Sequence, residues 1–234
     1  MGNYCNSKRL FEIYMSYAKD LRFDEQYFRE EDTLIPACPD QFVGKIKDSK
    51  NWCDFARTEI SEDYGGVTEA NGRVVLILES PHRDEYERRN NVLVAQGPAC
   101  GCTGCKIRRY FNFITKKAYA NYELLLLNVI QYPCSLFRSR EQQGARIRDK
   151  MIRRLLKCNE FMKCFRSRVK LAMGEHDNLV VINACTWVGK KIINKPLSEI
   201  LPPDASYATA HHPSIWSEST TLEYHQGGQN GISQ

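Results

Sequence analysis

Residues 73–82 read Arg73-Val74-Val75-Leu76-Ile77-Leu78-Glu79-Ser80-Pro81-His82. Val74 to Leu78 is an unbroken aliphatic run, apolar on both faces. It predicts a central strand of a parallel sheet. Pro81 has no N–H, so the hydrogen-bond ladder cannot continue through it. Polar side chains are therefore delivered at the carboxyl end of a buried strand. Open α/β sheets bind their ligands at that edge.

Three more runs share this character: Leu124 to Ile130, Asn178 to Ala184 and the shorter Tyr207 to Ala210. Between them lie stretches with helical spacing. Lys106 to Ala120 puts Ile107, Tyr110, Phe111 and Ile114 on one side. Glu141 to Lys157 and Glu160 to Met173 are basic helices, and Thr186 to Asn194 is a short one. The alternation predicts an α/β fold of three layers, αβα, around a central four-stranded parallel sheet. Residues 1–72 read as a helical decoration of the same domain. Leu10, Ile13, Tyr14, Tyr17 and Leu21 recur at helical intervals, and a weaker helix spans Asp48 to Thr58. Residues 73–216 form the core, and 217–234 a polar tail with partial disorder.

A length of 234 residues fits one domain. No stretch approaches the ~20 apolar residues of a membrane helix. The first residues lack the apolar core of a signal peptide and the spacing of a myristoylation site. These features predict a cytoplasmic monomer with no membrane association. Charge is uneven. Residues 138–170 hold twelve basic and three acidic residues, a net +9 in a chain of +5. Such a segment fits a polyanion partner, DNA above all, with Arg153 and Arg154 as phosphate contacts; a solvated helix face is the plainer alternative.

Ten cysteines are many for this compartment, where disulfides are not expected. Cys100, Cys102 and Cys105 fall within six residues among glycines. They are candidate ligands of a structural zinc, with a fourth from Cys134, Cys158 or Cys164. A flexible loop with free thiols is the other reading. No cofactor is needed for the chemistry below.

Three strand ends carry chemistry, and their order resembles the uracil-DNA glycosylase superfamily. Leu78-Glu79-Ser80-Pro81-His82 resembles the first motif, Gly-Gln-Asp-Pro-Tyr or Gly-Glu-Ala-Pro-Gly. The strand ending in Asn128 is similar to the one bearing the base-reading Asn. His212-Pro213-Ser214 matches the His-Pro-Ser motif after the last strand. The likeness spans Arg73 to Trp216. It implies a monofunctional enzyme that flips a pyrimidine-type base from DNA and hydrolyses its N-glycosidic bond, leaving an abasic site. It also implies roles. Glu79 stabilises the cationic sugar and orients water, and His212 donates to the leaving base. Asn128 reads the base edge, and Ser80, Pro81 and Ser214 lie against the phosphates. Ile215 or Trp216 wedges into the gap left by the base. Tyr110 and Phe111 are candidates for the aromatic that stacks on the base.

Two departures bear on the substrate. Ser80 replaces the Asp of the most efficient branch. His82 replaces the Tyr that screens out 5-substituted bases, so a modified cytosine becomes admissible. Some relatives excise glucosylated hydroxymethylcytosine from phage DNA, and uracil stays open beside it. The Cys-x-x-Cys that precedes the first motif in the iron–sulfur branch is absent. Two rival functions remain: an inactive DNA-binding protein of this fold, and a nucleoside N-glycosidase.

Overall fold

The computed structural model of the chain describes residues 7–21, 35–47, 58–59, 70–90, 92–116, 118–134, 142–174 and 178–225. Helix α1 (Ser7–Asp20) comes first, then strands β1 (Gln41–Lys45), β2 (Thr58–Glu59) and β3 (Arg73–Leu78). A 3₁₀ turn (Arg83–Glu85) leads into a hairpin of β4 (Tyr86–Arg89) and β5 (Val92–Ala95). Helix α2 (Cys102–Ile114), β6 (Glu123–Asn128), α3 (Gln142–Lys157) and α4 (Asn159–Met173) follow. The chain then runs through β7 (Leu179–Asn183), α5 (Trp187–Ser198) and β8 (Ser206–Thr209). A second 3₁₀ turn (Pro213–Ile215) precedes β9 (Glu223–His225).

The four expected strands are present and mutually parallel, in the order β6-β3-β7-β8. The sheet is nevertheless not four-stranded and not wholly parallel. Among the described residues it has seven strands, β2-β1-β6-β3-β7-β8-β9, with β1 antiparallel to β6 and β9 antiparallel to β8. Both flanks contribute strands to the sheet. Residues 1–72 are more than a helical decoration, because β1 and β2 extend the sheet. The tail closes the far edge with β9, and residues 226–234 lie outside the described set. Of the helix expected over Asp48 to Thr58, all but the last residue also lies outside it, and Thr58 opens β2.

All six residues of β3 are buried, as the aliphatic run requires. Alternation sorts the side chains. Val75, Ile77, Leu125 and Leu127 face α1, α3, α4 and α5. Val74, Leu76, Leu124 and Leu126 face α2 and Trp216. Each fully buried aliphatic contributes ~1.5–3 kcal/mol relative to exposure. At the amino end of the sheet Arg73 and Glu123 sit opposite each other in register. Their buried side chains pair at 2.8 Å.

Cys164 on α4 is disulfide-bonded, against the expectation of thiols throughout. Among the described residues no helix is long and apolar enough to cross a membrane.

Candidate active site

The carboxyl edge of the parallel strands opens into a cavity of about 640 Å³. That lies inside the roughly 300–1,000 Å³ usual for ligand sites. Its walls come from five places. Leu78, Glu79, Ser80 and His82 descend from β3, and Gly101 to Thr103 begin α2. Thr186, Trp187 and Lys190 begin α5. His211, His212, Ser214 and Ile215 follow β8, and Arg148 reaches in from α3.

Glu79 is buried and is held from one side. The Thr186 hydroxyl donates to Oε1, and the Gly189 N–H donates to the same atom at 3.1 Å. Burial pushes the carboxyl above its ordinary value; the Thr186 hydroxyl, the Arg148 charge and the Gly189 N–H pull the other way and lose. Backbone bonds fix its root, since the carbonyls of Leu78 and Glu79 accept from Val129 and Ile130.

His212 is half-buried across the cavity. The Ser214 N–H donates to its Nδ1 at 3.3 Å, and the Ser214 hydroxyl lies 2.9 Å from the same nitrogen. A nitrogen that accepts carries no proton, so the neutral ring holds its hydrogen on Nε2. Burial, with Arg148 and Lys190 nearby, lowers the pKa to about 4. At neutral pH His212 is therefore an uncharged Nε2–H donor. Burial also lowers Lys190. Cys185 lines the wall too, but burial keeps its thiol protonated and unsuited to nucleophilic attack.

The cavity gathers Glu79, Ser80, His82, His212, Ser214 and Ile215 from the sequence-derived set. It does not gather Asn128, which is 1 % exposed and outside the lining. Its Nδ2 points at Cys38 Sγ at 3.7 Å, and its Oδ1 finds no hydrogen-bond partner among the described residues. In register with Leu78, it shares a face with Leu124 and Leu126. Pro81 is buried and likewise does not line the cavity. Trp216 is no wedge: it is fully buried, packs near Phe111 and donates Nε1–H to the His211 carbonyl at 2.7 Å. Phe111 is core, and Tyr110 sits beneath Lys106 and Arg109 away from the cavity. Ile215, in contrast, is 63 % exposed at the mouth. His82 lies with Nδ1 3.2 Å from Asp84 Oδ2.

Part of the basic segment is answered by the protein's own acids. Arg168 clasps Asp40 through two 2.8 Å bonds and binds the carbonyls of Asn128 and Val129. Arg166 pairs with Glu199, and Arg154 with Asp20. Arg153 and Arg154 are exposed but stand clear of the cavity. Among the described residues of the segment Arg148 enters the cavity, paired with Asp149 at 2.7 Å and on the same helical stripe as buried Ile152 and Leu155. That i, i+4, i+7 spacing marks it in the sequence.

The three loop cysteines stand apart from one another in their contacts. Cys100 Sγ donates to the Gly97 carbonyl, while Cys102 and Cys105 are exposed on the first turn of α2, Cys105 accepting from Arg108. Among the described residues no three His, Cys, Asp or Glu are placed to hold an ion. Comparison with family models, curated proteins and solved structures finds no match to this chain.

Proposed function

We propose that the chain is a monofunctional DNA glycosylase of the uracil-DNA glycosylase type. One observation carries this: a buried carboxylate and a neutral imidazole donor, far apart in sequence, line one cavity at the carboxyl edge of four parallel strands. In the reaction the sugar–base bond breaks toward a cationic sugar and an anionic base. With Oε1 committed to Thr186 and Gly189, Glu79 offers Oε2 to the sugar and to the attacking water. His212 Nε2–H donates to O2 of the departing pyrimidine. Such a preorganised donor is worth ~3 kcal/mol. Arg148, paired with Asp149, adds positive potential beside both Glu79 and His212.

Two features favour a 5-modified cytosine, such as glucosylated hydroxymethylcytosine, over uracil. The cavity is far larger than a bare pyrimidine needs, and His82 leaves room where a screening Tyr stands in the resemblance. Asn128 has no part in base reading on this geometry; His82, Asp84 and Thr103 are among the polar groups along the wall.

Base release from duplexes bearing uracil, hydroxymethylcytosine or glucosylated hydroxymethylcytosine tests the proposal. Release with abasic-site formation, abolished by Glu79→Gln, supports it. An intact panel rejects it. The internal pairing of Arg154, Arg166 and Arg168 favours a second reading, a nucleoside N-glycosidase, because those arginines are less available to phosphates. Faster release from the free nucleoside than from the oligonucleotide would select that reading.

A further inference from the structure

Six large apolar side chains are exposed among the described residues, and two of them, Trp187 and Ile215, stand at this one cavity. Trp187 is the more exposed at 68 %. It is the first residue of α5, two positions before the glycine that holds Glu79. One turn on, Lys191 places its ammonium 5.3 Å from the indole centroid. Lys190 and Arg148 add positive charge beside it on the cavity wall. An indole left in water with cations on its flank combines a stacking platform with phosphate attraction.

We infer that Trp187 is a nucleobase-stacking subsite. It takes an unpaired base next to the extruded nucleotide, while Lys190 and Lys191 face the adjoining phosphates. The inference rests on the DNA reading but not on catalysis. Lys191 covers one indole face and leaves the other to the base. Ile215 approaches from the loop after β8, so the mouth is gripped from two elements. Because a stack needs only an unpaired base, the subsite engages single strands without sequence preference.

The test is binding of a dye-labelled, unmodified oligothymidine single strand, read by anisotropy at low salt. Trp187→Ala should weaken binding about 10-fold or more, the loss of one aromatic–base stack. Trp187→Phe should retain most of the affinity. Leu171→Ala, an exposed apolar residue on α4 away from the cavity, should have no effect. Binding by Trp187→Ala equal to wild type, or no binding by wild type, overturns the inference. So does a wild-type dimer that Trp187→Ala dissociates in sedimentation, since a second copy would then cover the indole. Oligothymidine carries none of the panel's bases, so binding and base release are read on different strands. Failure of base release with Trp187-dependent binding would therefore reject the glycosylase and leave this subsite standing.

Discussion

Gly189 makes room for Glu79. A Cβ built on Gly189 would stand 2.5 Å from Glu79 Oε1, where the Gly189 N–H now donates at 3.1 Å. The Cys185 side chain also lies 3.2 Å from that Cβ, so the methyl is crowded by two residues. The carboxylate must move. Displacement of a reacting group by about 1 Å can cost ~100-fold in rate. Gly189→Ala should therefore lose base release by about that factor. Alanine is the better helix former by up to ~1 kcal/mol, so the unfolding midpoint should hold within a few degrees. Base-release kinetics beside thermal unfolding separate the two. Full activity in Gly189→Ala would show that the position of Glu79 does not matter.

Glu79→Gln keeps the shape and removes the charge. The amide oxygen can still accept from Thr186 and Gly189, so the local bonds survive. Base release should fall ~100-fold or more. Stability should move the opposite way. The folded carboxyl titrates above its ordinary 4.5 because it is buried. The unfolded chain gives up its proton first, so the folded state loses stability as pH rises from about 4.5 through the raised pKa. Glutamine escapes that loss, and at pH 7 the variant should unfold at or above the wild-type midpoint. The same shift places the acid limb of kcat/KM above pH 4.5, with activity rising as Glu79 ionises. A limb below pH 4.5 would mean that the active carboxylate is another residue.

The four parallel strands were legible because each is a short aliphatic run. The edges were not. Gln41 to Lys45 is interrupted by Gly44, at φ 127°, where the register with β6 shifts. Glu223-Tyr224-His225 is polar and exposed, with nothing to mark it as a strand. The strand ends located the edge and, with it, Glu79 and His212. They did not say which residue projects over it. Asn128 follows the period-two alternation of Leu124 and Leu126 into the α2 face, a reading available from the sequence but outweighed by the motif. Net charge is silent on pairing within the fold. The acids that answer Arg168 and Arg154 come from Asp40 and Asp20, 128 and 134 residues away in the chain. Composition does not carry such partners. Trp187 and Gly189 went unmarked because their roles depend on where Glu79 points.

His212 should stay neutral across the working range. Its folded pKa, about 4, lies below the ordinary 6.5. Between these values the unfolded chain binds the extra proton, so stability from this group is present above pH 6.5 and is lost as pH falls toward 4. Urea midpoints should fall over that window in wild type and fall less in His212→Gln. Nitrogen NMR should find the hydrogen on Nε2, because Nδ1 accepts from Ser214. His212→Ala should slow base release ~100-fold without moving the acid limb set by Glu79. A proton on Nδ1 at pH 7 would remove the donor from the cavity and with it this half of the chemistry.

Arg73 and Glu123 supply a contrast at the opposite end of the same strands. Both are buried, and Arg73 Nε donates to Glu123 Oε2 at 2.8 Å. Arg73 Nη1 also donates to the carbonyl of Ala172 at 2.9 Å and to that of Met173 at 3.3 Å, the last turn of α4, where carbonyls lack helical partners. Arg73→Met deprives a buried carboxylate of this counter-charge, a change that typically costs ~3–5 kcal/mol. Arg73→Met with Glu123→Leu removes both charges, and burying neither should recover much of the loss. Recovery should stay incomplete, because the α4 carbonyls have still lost the guanidinium. Denaturant unfolding of the two variants measures the difference. Base release per folded molecule should be unchanged in both, since β3 runs its full length between this pair and Glu79. A double variant no more stable than Arg73→Met would show that the guanidinium acts mainly on α4, and that its charge on Glu123 matters little.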